Sequence, residues 1–95
     1  MATYVIPSRF APHAMKEPQD LKKLADAVSG KIKAECPGIH WRQSYATLGR
    51  FDVVDIVEAE DRKEVQKAVM LIRGYGHCHT ETLAATPWKE FLAEL

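Results

Sequence analysis

The sequence predicts a single α+β domain of order βαββαβ, closed by a short C-terminal helix. Three observations carry that prediction. Two stretches repeat apolar residues at helical spacing between a recognisable start and stop. Four segments rich in β-branched and aromatic residues alternate with them, and two of these are joined by only three residues. Finally, 95 residues make one domain, long enough to bury roughly 60–65% of its unfolded surface without a staple.

Residues 3–10 read as a strand because β-branched and aromatic side chains cluster there, with Pro7 as the flaw. Proline cannot donate to a ladder, so a central strand here implies a bulge or a locally unpaired stretch. Residues 11–17 form a loop, and a helix runs from Pro18 to Glu35 with Leu21, Leu24, Ala25, Val28 and Ile32 on one stripe. Pro18 suits a first turn, Asp20 favours the positive helix end, and Cys36-Pro37-Gly38 stops the run. Residues 39–48 and 52–58 are strands separated by Gly49-Arg50-Phe51, a connection so short that it requires an antiparallel hairpin. Asp61 with Glu64 resembles a capping box, Val65, Ala68, Val69 and Ile72 give the next stripe, and Gly74 or Gly76 closes it. Residues 77–84 are the fourth strand, and Thr86-Pro87 opens a tail helix with Trp88, Phe91, Leu92 and Leu95 on one face.

Right-handed crossovers place both long helices on one face of a four-stranded antiparallel sheet, the ferredoxin-like arrangement. The other face lacks cover, and its strands are too apolar for a fully wet surface. A second copy of the sheet is the simplest cover, so a homodimer or larger oligomer is expected.

Composition narrows the function classes. Thirteen acidic residues balance thirteen basic ones, which gives no electrostatic reason to expect nucleic acid or an anionic membrane as partner. No apolar run approaches the ~18 residues of a membrane span, and the start has no basic region ahead of an apolar one. Cys36 and Cys78 match neither a disulfide framework nor a zinc knuckle, so two reduced thiols in the cytoplasm are expected. No Gly-rich phosphate loop, Ser/His/Asp order or CxxC pair supports a named reaction class, and no cofactor is implied.

The segment Tyr45-Ala46-Thr47-Leu48-Gly49-Arg50-Phe51-Asp52-Val53-Val54-Asp55 resembles the signature hairpin of the GYD-domain family, and the similarity extends over nearly the whole chain, residues 1–95. Arg50 intervenes after Gly49, and Phe51 stands where the family commonly has tyrosine, so the signature turn is Gly49, Phe51 and Asp52. The resemblance implies a dimeric α/β barrel of two facing ferredoxin-like sheets and brings no established activity with it. The wider barrel superfamily spans cofactor-independent monooxygenases, haem-handling enzymes, isomerases and effector-binding domains.

Four groups of residues could carry chemistry. Trp41 and Tyr45, four apart on a strand and so of equal parity, could line an apolar cavity for a small molecule together with Asp55 and His77. His77, His79 and Glu81 share a strand face by alternation, and His77 with His79 could hold a divalent metal if Glu81, or His40 of a second subunit, completed the set; solvated or hydrogen-bonded strand histidines are the plainer reading. Asp52, Asp55, Arg50 and Arg9 place charge in or beside apolar strands, where Asp55 could serve as a base or anchor, or simply pair with an arginine. Cys78 could be a nucleophile flanked by imidazoles, although its side chain points away from both neighbours. The function expected is a homo-oligomeric small-molecule-binding domain without established catalysis; the alternative is a small cofactor-independent oxidoreductase or isomerase using the same barrel pocket.

Overall fold

The structure, a computed structural model, describes residues 1–13 and 16–95, so the middle of the 11–17 loop lies outside the described residues. In chain order the elements are β1 (Ala2–Phe10), α1 (Pro18–Glu35), β2 (Ile39–Ala46), β3 (Val53–Ala59), α2 (Arg62–Gly76), β4 (Cys78–Thr80), β5 (Leu83–Ala85) and α3 (Trp88–Ala93). The sheet is antiparallel with order β2-β3-β1-β4, and β5 continues along the same edge of β1. This is the ferredoxin-like α+β fold, with the fourth strand in two pieces.

Pro7 explains that division. Ser8 pairs with Thr80 and Val5 with Leu83, so the register is unchanged across the gap at Glu81 and Thr82. The Glu81 N–H donates to the Pro7 carbonyl at 3.0 Å. In an antiparallel pair a residue's N–H and C=O face the same neighbour, so the bond Pro7 cannot make is the one to Glu81. On its other side Pro7 sits opposite Val54, where no N–H is needed. A central strand thus keeps its proline at the loss of one ladder bond.

A bulge in β2 has a larger consequence. His40 pairs with Glu58 and Trp41 with Val57, but the next pair is Gln43 with Ile56, leaving Arg42 as an extra residue. Arg42 turns its guanidinium onto Glu58 in an ion pair. The extra residue reverses the alternation beyond it. Trp41 therefore shares the helix-covered face with the buried Val57, whereas Tyr45 lies opposite Val54 on the open face and is 51% exposed. The equal parity expected for Trp41 and Tyr45 does not hold.

Both long helices begin on local acceptors. Asp20 Oδ2 accepts from the Lys16 and Glu17 N–H groups at 3.0 and 3.1 Å, and these bonds hold its carboxyl below the usual carboxylate range. Asp61 caps α2 by accepting from the Lys63 N–H at 2.9 Å. Glu64 does not close the expected reciprocal box; its Oε2 is shut away from water without a partner among the described residues. At the other end His77, not a glycine, takes the left-handed conformation, with φ 52°. Gly76 serves close approach instead, since a Cβ there would stand 3.3 Å from Cys78 Sγ and 3.4 Å from Val28 Cγ2.

The core lies between α2 and the sheet centre, where Ile6, Val57, Ala59, Val65 and Val69 pack together. A second cluster, Ile32, Cys36, Ala68 and Ile72, joins the end of α1 to α2. Of the apolar stripe of α1 only Ile32 is buried; Leu21, Leu24 and Val28 remain half-exposed. α1 therefore leans on α2 and stands off the sheet. The domain is only 16 Å through its thinnest dimension, one sheet and one helix layer, and among the described residues no long helix packs on the opposite sheet face. The tail α3 covers none of the core, with Trp88 67% exposed and Phe91 and Leu92 nearly half.

Candidate functional site

The gap between α1 and the sheet is a cleft of about 580 Å³. Its helix wall is the stripe Leu21, Leu24, Ala25, Val28 and Ile32, of which only Ile32 is buried, and its floor is the inner sheet face, with Phe10, Trp41 and Val53. Cys36, Ile72, Gly76 and Cys78 also belong to the lining. This size and apolar character suit a small organic ligand.

Polar groups converge on the floor. Asp55 is only 8% exposed, and its Oδ1 accepts from Ser44 Oγ at 2.6 Å and from Trp41 Nε1 at 3.1 Å. The arginine partner expected for Asp55 is absent among the described residues; two neutral donors from β2 hold it instead. That arrangement follows from the bulge, which keeps both Trp41 and Ser44 on the inner face. Ser8, 3% exposed, contributes an Oγ with no hydrogen-bond partner among the described residues.

Trp41 and Asp55, two of the four side chains expected to share a pocket, do line this cleft. Tyr45 is on the opposite sheet face, and His77 caps α2 with its ring centroid 6.0 Å from that of His13. Ser8, Ser44 and the helix stripe join the lining without having been singled out by the sequence. The signal for the stripe is present there but indistinguishable from that of an ordinary core helix.

Both thiols in the cleft are held protonated. Burial, then the negative charges of Asp52 and Asp55, push the Cys78 thiol up to about 11. Burial first, and then Glu64, raises Cys36 as well. A raised pKa lowers the thiolate fraction at neutral pH, so Cys78 should react with iodoacetamide at pH 7.5 on the order of 100-fold more slowly than a free cysteine. Its rate should still be rising at pH 10, where an ordinary thiol has levelled off. Site-resolved mass spectrometry across pH measures this, and a plateau near pH 9 would contradict it.

The remaining candidates sit elsewhere. Asp52 is a structural tie: its N–H donates to the Ser8 carbonyl at 2.9 Å and its Oδ2 accepts from the Phe10 N–H at 2.9 Å. It thus extends the pairing of β3 with β1 into the turn, where Gly49 adopts φ 109° and Thr47 Oγ1 donates to the Phe51 carbonyl at 2.7 Å. Arg9, Arg50, Phe51, His79 and Glu81 surround a smaller cleft of about 100 Å³, with the Arg50 guanidinium 5.0 Å from the Phe51 ring centroid. His77 lies outside the strand that carries His79, so the alternation expected to align them does not apply. His40 and His79 occupy opposite edges of the sheet, and no group of three His, Cys, Asp or Glu side chains suited to a metal occurs among the described residues. The three-histidine set would require a second chain.

Comparison with known proteins agrees with this architecture. A protein of Thermus thermophilus named as binding glutamine synthetase and cystathionine beta-lyase is 29% identical over 99 residues, covering 100% of this chain and 99% of the relative. The crystal structure of TTHA0845, also from Thermus thermophilus, aligns at TM-score 0.56 and 24% identity, over 92% of this chain and 95% of the other. A feast or famine regulatory protein from M. tuberculosis, complexed with L-methionine, aligns at TM-score 0.62 and 11% identity over 92% of this chain. This chain spans about half of that regulator, 51%. The GYD domain matches residues 4–94, and the chain belongs to the GYD-domain family.

Proposed function

We propose that this protein is a homo-oligomeric small-molecule-binding domain of the cytoplasm, whose ligand lies between α1 and the sheet. The observation that carries the reading is the cleft of about 580 Å³, predominantly apolar with a few polar groups gathered at its floor. An α1 that leaves its apolar stripe half-exposed has surface to bury against a ligand. The regulator of similar fold holds L-methionine, which supports binding as a use of this architecture. Self-association is supported by the open sheet face, where Val5, Val54 and Ile56 are half-buried and Leu83 is exposed among the described residues. Free Cys36 and Cys78 suit a reducing interior.

Turnover by a cofactor-independent oxidoreductase or isomerase would need a second proton-transferring group beside Asp55. The lining supplies two protonated thiols and the exposed Lys33, which favours binding. One observation favours a protein partner in addition: α3 presents Trp88, Phe91 and Leu92 to solvent, and the Thermus relative is named for binding two enzymes. Native mass spectrometry of protein purified from its own source tests the main reading. It should show an even or higher multimer carrying a small organic mass released on denaturation. A bare monomer throughout the micromolar range would overturn it.

A further inference from the structure

Resting on the reading of the cleft as a ligand site, we infer that the ligand is a neutral apolar molecule bearing a hydroxyl, anchored between Ser8 and Asp55. The sheet register places these two side chains together. Asp55 pairs with Ile6 and Ser8 with Val53, so Ser8 and Asp55 are diagonal neighbours on the inner face of β1 and β3. Such positions lie about 7–8 Å apart, a span that one intervening oxygen bridges with two hydrogen bonds.

The two groups make complementary demands. Ser8 lines the cleft, its Oγ is buried with no partner among the described residues, and a buried hydroxyl left unpaired is costly, so its proton seeks an acceptor there. Asp55 uses Oδ1 for Ser44 and Trp41, while Oδ2 accepts nothing among the described residues and seeks a donor. An alcohol or phenol oxygen is both at once: it donates to Asp55 Oδ2 and accepts from Ser8 Oγ. A carboxylate would bring acceptors only and would meet like charge at Asp55. The one cationic side chain on the lining, Lys33, is exposed on the last turn of α1 and belongs to the helix wall rather than to the floor. Apart from Ser29, which like Lys33 belongs to the helix wall, the remaining lining is apolar and requires an apolar body on the hydroxyl.

Three probes of one skeleton separate the possibilities: 2-naphthol, naphthalene and 2-naphthoate, titrated into the full chain at pH 7 and followed by fluorescence. The expected result is that 2-naphthol binds about tenfold or more tightly than either of the others, as a hydrogen bond to a charged group allows. Asp55→Asn and Ser8→Ala should each reduce that preference severalfold, with native circular dichroism certifying that each variant is folded; an undiminished preference in both folded variants would overturn the anchor between Ser8 and Asp55. Equal affinity for all three probes would overturn the hydroxyl inference and leave the cleft intact as a binding site. Binding of none would overturn both. Tighter binding of 2-naphthoate would assign the site to anions and contradict the role given to Asp55.

Discussion

Replacing Ile6 by alanine is expected to destabilise the domain by about 3 kcal/mol, the middle of the range for emptying a well-packed core site. For a chain of this size that corresponds to a melting temperature lower by roughly 12–24 °C. Ile6 is fully buried in the central strand and packs with Val57, Ala59, Val65 and Val69, so its loss is felt by both sides of the α2 interface. The cleft cannot relieve the cavity by collapse, because it lies beside α1 and not beneath α2. Calorimetry of the purified variant measures the shift; a change of only a few degrees would mean that the core is centred elsewhere.

Ile56→Asp is expected to act on association instead of folding. Ile56 is half-buried on the open face of β3, paired with Gln43. An unpaired carboxylate there, covered by a second sheet, costs about 3–5 kcal/mol, which converts to a weakening of self-association by at least 100-fold. Sedimentation should show a monomer with native circular dichroism. Identical sedimentation of the parent and variant would contradict the open sheet face as the contact between copies.

The sequence is most informative where the backbone signals its own ends. Pro18 and Cys36-Pro37-Gly38 bracket α1, Asp61 starts α2, and the three residues after Leu48 compel the hairpin, because each of these acts through local geometry. The site is half legible. Asp55 is conspicuous as a carboxylate in an apolar strand, and Trp41 as a large ring near it. Their partners are not, since the bulge at Arg42 leaves no compositional trace yet decides that Trp41 and Ser44, and not Tyr45, face Asp55. The same reversal follows in any strand that carries a bulge its composition does not announce. His77 reads as a strand residue because its neighbours alternate, whereas the helix before it needs a terminating residue with positive φ. The cleft itself is invisible in the sequence: an amphipathic helix announces an apolar face, but only packing shows that α1 touches α2 and leaves its stripe off the sheet.

The chain contains a built-in reporter for a ligand in the space between α1 and the sheet. Trp41 Nε1 donates to Asp55 and Ser44 at the floor of the cleft, while Trp88, the only other tryptophan, sits exposed on α3. In a nitrogen-15 labelled sample titrated with 2-naphthol, the Trp41 indole N–H resonance should shift progressively and saturate, and that of Trp88 should stay in place. Saturating shifts confined to Trp88 or to the open-face residues Val54 and Ile56, with Trp41 unmoved, would contradict that placement of the ligand.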